Sequence, residues 1–146
     1  MFVSRISCAI SMAATLFMAL GASGESDLWY EMKLAGSPAG WSHMIDRVDG
    51  DRREVMNETA FRISRAGVEV AMTIQIEWIE STDGTPVSMT SRQDLGVQQM
   101  TTIWTFEGDS IKIATEQDGR RNETTVAAPT VPWLTPGALQ EAFKRE

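Results

Sequence analysis

Cysteine is almost absent from this chain: the sequence of 146 residues contains one, Cys8, in an N-terminal segment that we expect to be removed. Without that segment the protein can form no disulfide bond, no thiolate metal site and no cysteine nucleophile. Histidine is equally scarce, since His43 is the only one, and a lone histidine cannot assemble a metal triad or a Cys–His pair. We therefore predict no catalytic residue, no metal ligand and no cofactor.

Positive charge is also in short supply. The sequence has 13 Lys and Arg against 20 Asp and Glu, which gives a net charge of −7. Nucleic acids and anionic membrane surfaces both bind proteins through clustered positive charge. The charge balance therefore excludes a nucleic acid from the partners that we expect and argues against an anionic membrane surface.

Long apolar runs are missing except at the N-terminus. Residues 1–5 form a short basic segment, residues 6–20 are uncharged and largely apolar, and residues 22–24 are the small residues that a signal peptidase reads. The apolar run has about 15 residues, fewer than the roughly 20 that a transmembrane helix needs. We predict that residues 1–24 are a signal peptide, that the protein is periplasmic or extracellular, and that no stable membrane span remains after cleavage. An uncleaved anchor is the alternative.

What the rest of the chain does contain is an alternation of apolar and polar residues, which is clearest between Gly67 and Glu80. A period of two predicts a β-strand with one buried face, because successive side chains point to opposite sides of a sheet. The apolar positions, all of one parity and all expected to be buried, are Val68, Val70, Met72, Ile74, Ile76 and Trp78.

Similar runs recur from Leu28 to Ala127, between turn-forming pairs such as Asp49-Gly50 and Asp118-Gly119. Ala35 to Gly40 is predicted to connect the first two runs. The connections are too short for the crossover that parallel strands require. The pattern predicts an all-β fold, an antiparallel up-and-down meander of about eight strands in an open or closed barrel, which occupies residues 25–128.

Residues 129–146 are predicted to form a proline-rich linker and a short C-terminal helix. Thr135 is the expected N-cap and Pro136 the first helical residue. One side of this helix is apolar and consists of Ala138, Leu139, Ala142 and Phe143. The chain reaches Glu146 while the helical pattern continues, which we interpret as a sign of a truncated gene product.

Other short motifs predict no site. Asp46, Asp49 and Asp51 surround a turn but lack the central glycine and closing Glu of a calcium loop. Glu69 and Glu77 fall on the polar side of the predicted strand and are interpreted as solvated charges. Asn57 and Asn122 begin glycosylation sequons, which matter only in a host that glycosylates exported proteins.

The sequence contains five tryptophans, heavy usage for its length. They could fill the core of a small barrel, or some of them could line a cavity for an apolar ligand. The sequence leaves both interpretations open. If there is a cavity, the candidate lining residues are Trp41, His43, Trp78 and Trp104.

Residues 29–41, WYEMKLAGSPAGW, resemble the opening of a β domain that precedes the transglutaminase-like domain in certain bacterial exported proteins. That family begins with an aromatic strand, a G-x-x-x-G loop, here Gly36 and Gly40, and an aromatic residue, here Trp41. Residues 80–87, ESTDGTPV, are similar to its central hairpin, and residues 133–136 look like its exit toward the catalytic domain. The resemblance covers nearly all of residues 28–140.

The resemblance implies an exported, non-catalytic accessory β domain, truncated or stand-alone, whose partner is a transglutaminase-like catalytic domain. The family's enzyme uses a Cys-His-Asp triad in the later domain, and no position here corresponds to it. The alternative is a periplasmic carrier that binds an apolar small molecule, lipid or lipoprotein-like, in an open barrel. A carrier needs an unfilled cavity, whereas an accessory domain leaves the apolar side of its C-terminal helix poorly covered. Neither is an enzyme.

Overall fold

The computed structural model describes residues 25–65, 67–131 and 133–143, which form eight antiparallel strands and one short helix. The predicted all-β meander is therefore confirmed. The predicted signal peptide, residues 1–24, lies outside the described residues. The strands are β1 (Glu25–Leu34), β2 (Ser37–Asp49), β3 (Arg52–Arg65), β4 (Val68–Ser81), β5 (Pro86–Asp94), β6 (Gln99–Glu107), β7 (Ser110–Gln117) and β8 (Arg120–Ala127), and the helix is α1 (Pro136–Phe143).

The eight strands form one sheet in which every strand pairs with its neighbours in sequence. β1 and β8 lie at opposite edges, so the sheet is open, one of the two forms that the sequence predicts. Both edges carry features that discourage pairing with another sheet. The register of β1 shifts between Met32 and Lys33, and β8 is exposed along its whole length and rich in charge.

Two-residue turns join the strands at both ends of the meander. Ala35 and Gly36 between β1 and β2, and Asp118 and Gly119 between β7 and β8, all have positive φ angles. Such turns match the right-handed twist of the strands they connect. The sequence places the Asp118-Gly119 turn correctly.

Two predicted connections are displaced in the structure. The first turn is only Ala35-Gly36, because β2 already begins at Ser37, so Gly40 is a strand residue. It packs so closely against β3 that a β-carbon at position 40 would lie 2.0 Å from the carbonyl oxygen of Ala60. The turn predicted at Asp49-Gly50 lies one residue later, on Gly50 and Asp51.

The strand register divides the side chains between two faces. Trp78 of β4 lies between Val55 of β3 and Met89 of β5, on the same face as α1, which we call the helix-bearing face. The opposite side is the outer face. Of the six β4 residues expected to be buried only Trp78 is buried, while Ile76 and Val68 are exposed. The reason is that Trp78 lies at the end of this face where Trp133, from the segment before α1, and Phe106 pack against it.

Among the described residues, the helix α1 is too short and not apolar enough to cross a membrane.

Candidate functional site

Aromatic side chains gather at the end of the helix-bearing face where the chain leaves the sheet. Trp133, from the segment between β8 and α1, packs edge-on against Trp78 with ring centroids 5.8 Å apart. Phe106 of β6 contacts both rings, at 5.3 Å from Trp78 and 5.8 Å from Trp133. The indole N–H of Trp78 donates a hydrogen bond of 2.8 Å to Glu80. This aromatic cluster packs the segment between β8 and α1 against the sheet.

A buried charge cluster lies beside the aromatic residues. Arg53 donates two hydrogen bonds to the carboxylate of Asp46, one of them 2.8 Å from Nε to Oδ1. Glu80 is the cross-strand partner of Arg53 and is only 1% exposed. The hydrogen bond to Asp46 raises the pKa of Arg53, and the negative charge of Glu80 raises it further. The guanidinium therefore stays charged although it is buried.

α1 docks on this charge cluster through its polar side. Gly137 is buried, and a β-carbon there would lie 1.8 Å from Glu80 Oε1, so only glycine permits this approach. Gln140 accepts a 2.8 Å hydrogen bond from Arg53 Nη2. Thr135 is the N-cap, as the sequence predicts, because its hydroxyl accepts a hydrogen bond from the backbone of Ala138.

The apolar side of α1 consequently faces solvent. Leu139 is 43% exposed and Phe143 is 69% exposed, and Ala142 is exposed as well. A short amphipathic helix normally turns its apolar stripe toward the core. Here the sheet surface beneath the helix carries the buried charge cluster, so the helix faces it with a glycine and a glutamine.

The loop between β4 and β5 supports the same corner of the site. The Ser81 hydroxyl and the Thr85 backbone N–H both donate hydrogen bonds to the carboxylate of Asp83. These bonds lower the pKa of Asp83, so the carboxylate is charged and holds the loop closed at neutral pH. Gly84 then lies against α1, since a β-carbon there would be 3.4 Å from Ala138.

A groove of about 540 Å³ lies between α1 and the first two strands. Its walls include four apolar side chains, those of Leu28, Met44, Val48 and Phe143. Arg53, Asp46 and Gln140 supply polar groups at the same groove. The groove could hold a small apolar group that carries a polar end.

A band of hydroxyl and amide side chains crosses the middle of the helix-bearing face. Ser42 accepts hydrogen bonds from Asn57 and Thr59, and Thr102 pairs with Thr115 across β6 and β7. Ser91, between these groups, is buried. β4 interrupts this band, because Ile76 and Ile74 are the partners of Asn57 and Thr59, so a row of apolar side chains runs along β4 from Met72 to Trp78.

The four candidate cavity residues do not line one cavity. Trp78 and Trp104 lie on the helix-bearing face, where both flank Met89 in the register. Trp41 and His43 lie on the outer face, because each is an odd number of residues from Asp46 along the same strand. The structure therefore places the four residues in two pairs on opposite faces, a division that the sequence does not reveal because it does not give the register between β2 and β4.

His43 is held on the outer face by two neighbours. Its Nε2 lies 2.7 Å from Asp27 Oδ1, and the ring of Trp29 stacks on it with centroids 3.9 Å apart. Among the described residues no group of three or more His, Cys, Asp or Glu side chains could hold a metal ion.

Comparison of the chain with protein-family models, with curated proteins and with solved structures finds no match. The function proposed below therefore depends on the geometry of the site and on the resemblance of residues 29–41 and 80–87.

The sequence reasoning missed the buried charge cluster. Asp46 was considered only as a possible calcium ligand, and Arg53 and Glu80 were not singled out. A signal was nevertheless present. Once the turn joins Asp49 to Arg52, the hairpin register places Asp46 beside Val55 and on the same face as Arg53.

Proposed function

We propose that the protein is an exported, non-catalytic accessory β domain, and that the apolar side of α1 binds a transglutaminase-like catalytic domain. One observation carries this proposal. α1 is anchored to the sheet by its polar side, which leaves Leu139 and Phe143 in solvent. The helix therefore presents an apolar surface that its own domain does not use.

The way α1 is anchored supports a binding role for that surface. The contacts of Gly137 and Gln140 with the charge cluster fix the helix before any partner arrives. A partner then does not have to order the helix itself, a cost that weakens many interfaces. Phenylalanine is among the residues that are enriched at protein interfaces, so Phe143 is the side chain of this helix that suits a binding role best.

The resemblance supplies the identity of the partner. Residues 133–136 look like the exit of the family's β domain toward its catalytic domain, and in this structure they lead directly into α1. The same segment places Trp133 on the sheet. A partner that follows the family's arrangement would meet the exposed side of α1 first. The sequence beyond residue 24 lacks the cysteine that catalysis would need.

The first experiment measures binding to a transglutaminase-like catalytic domain encoded in the same genome. Phe143→Ser should weaken binding by about tenfold or more, the scale of a hot-spot residue. The same substitution should change the free energy of unfolding by less than about 0.5 kcal/mol, because Phe143 is exposed in the isolated domain. Calorimetric titration and urea unfolding give the two values.

The matched control is Val97→Ser, which removes a fully exposed apolar side chain from the loop between β5 and β6. It should leave binding unchanged. Absence of binding by the unmodified protein, or equal losses for Phe143→Ser and Val97→Ser, would contradict a docking role for α1.

The groove beside α1 favours a second candidate function, the carrier of an apolar small molecule. Its apolar lining at Leu28, Met44 and Val48 supports this function. The same titration is run with a fluorescent fatty acid. Stoichiometric binding that Met44→Trp abolishes by filling the groove, with no binding of the catalytic domain, would make the carrier the better account.

Export is proposed from residues 1–24 and has its own test. Protein recovered outside the cytoplasm should begin at Glu25 or within a few residues of it, as judged by intact-mass measurement. A full-length product retained in the membrane would instead support an uncleaved anchor.

A further inference from the structure

The outer face carries an aromatic cluster that the proposed docking through α1 does not use. It consists of Trp29 on β1 with Trp41 and His43 on β2. Trp29 stacks on His43 with ring planes 12° apart, and its centroid lies 5.1 Å from that of Trp41. Although it makes both contacts, Trp29 is 62% exposed. One face of the Trp29 ring rests on His43, and the other face is open to solvent.

The position of the Trp29 ring is fixed by two neighbouring rings and by a carboxylate that orients one of them. His43 is mostly covered, and its Nε2 lies 2.7 Å from the carboxylate of Asp27, which orients the imidazole. Trp29 rests on that oriented ring and against Trp41. An exposed indole held by two ring contacts loses little further freedom when a ligand covers it, so the ring is preorganised for binding.

Three classes of ligand stack on exposed indoles, and the geometry discriminates between them. A quaternary ammonium ion is recognised best in a cage of several aromatic walls, whereas Trp29 and Trp41 are in contact with each other at a 47° tilt and form no such cage. A nucleic acid base would bring phosphates toward an acidic protein of net charge −7. The third class, a neutral sugar ring, meets neither obstacle.

The surroundings of Trp29 match the chemistry of a sugar. The C–H groups on one face of a pyranose carry partial positive charge, which complements the negative face of an aromatic ring. Asp27 and Glu31 lie on the same face of β1, each about 7 Å along the strand from Trp29. Their carboxylates can accept hydrogen bonds from hydroxyl groups at the two ends of a stacked ring. Lys33, paired with Glu31 at 2.9 Å, adds a donor.

We propose that Trp29, supported by Trp41 and His43, is a stacking platform that binds a neutral pyranose saccharide on the outer face of the sheet. β1 is an edge strand, so a longer saccharide can extend past the sheet without meeting another strand. The platform lies on the face opposite α1. Binding of a saccharide and docking of a partner on α1 are therefore independent of each other.

The experiment titrates the protein with three neutral oligosaccharides, cellohexaose, mannohexaose and chitohexaose, up to about 10 mM, and follows the indole N–H signals by NMR. At least one of them should shift the Trp29 signal, which is assigned with Trp29→Phe. Trp29→Ala should weaken that binding by about tenfold or more. Asp27→Asn keeps the indole but loosens His43, and it should weaken binding by a smaller factor.

Tyr30→Ala is the matched control, since Tyr30 is the next residue of the same strand, is 51% exposed and lies on the other face. It should leave saccharide binding unchanged. The proposal is overturned if none of the three saccharides shifts the Trp29 signal. It is also overturned if Tyr30→Ala and Trp29→Ala weaken binding equally, or if tetramethylammonium binds at Trp29 and the saccharides do not. The NMR shifts of the unmodified protein decide the matter even if Trp29→Ala does not fold.

Discussion

Arg53→Ala should lower the free energy of unfolding by about 3–5 kcal/mol, the usual result of removing one partner from a buried ion pair. Arg53 is the cation that Asp46 and Glu80 share, and it also binds Gln140 of α1. Without it two carboxylates remain buried with no compensating charge, and the helix loses its polar anchor. Urea unfolding monitored by tryptophan fluorescence measures the loss.

The neighbouring arginine provides the control. Arg52 is exposed, and its Nη2 lies 3.9 Å from Glu54, so Arg52→Ala should cost less than about 0.5 kcal/mol. Arg53→Lys should fall between the two, because lysine keeps the charge but cannot form the paired hydrogen bonds of a guanidinium. Similar small losses for Arg52→Ala and Arg53→Ala would show that the charge cluster is solvated in solution.

Gly137→Ala should destabilise the protein, although the same change usually stabilises an exposed helix by about 1 kcal/mol. The added methyl group would lie 1.8 Å from Glu80 Oε1 and 2.7 Å from Arg53 Nη1, so α1 must move away from the sheet. Overpacking of this kind typically costs about 1–3 kcal/mol. The sign of the change in unfolding free energy therefore reports directly on the docking of the helix.

Leu139→Ala tests the opposite side of the same helix. Leu139 is exposed, and leucine and alanine have similar helix propensities, so the change should lie within about 0.5 kcal/mol. Limited proteolysis supplies a second readout, since α1 should be cleaved faster in Gly137→Ala than in Leu139→Ala. A Gly137→Ala protein as stable as the unmodified one would mean that α1 does not rest on Glu80.

The strand order could be predicted because each strand carries its own signal. The alternation in residues 68–78 and the turn pair Asp118-Gly119 depend on nearby residues only, and the hairpins follow from them. The extent of burial could not be predicted in this way. Alternation shows that Ile76 and Trp78 share a face, but it does not show that Trp133 and Phe106 cover Trp78 and leave Ile76 exposed.

The candidate site was predicted less completely, because its parts come from distant segments. The apolar side of α1 and the Thr135 cap could be named from the sequence. That this side faces solvent depends on the charges of Asp46, Arg53 and Glu80, which are brought together by the pairing of β2, β3 and β4. The division of Trp41 and Trp78 between two faces depends on the same register. Tertiary pairing, rather than local preference, decides both features.

The sequential pairing of the strands also determines the order in which native contacts can form. Each hairpin can close as soon as its second strand has left the ribosome, because no strand waits for a partner from a distant part of the chain. The docking of α1 is different, since the bond between Arg53 and Gln140 joins residues 87 positions apart. The helix is therefore the last element to join the sheet during synthesis. The helix also has far fewer contacts with the sheet than β3 and β4 have with each other, so its amide hydrogens should exchange with solvent before those of β3 and β4.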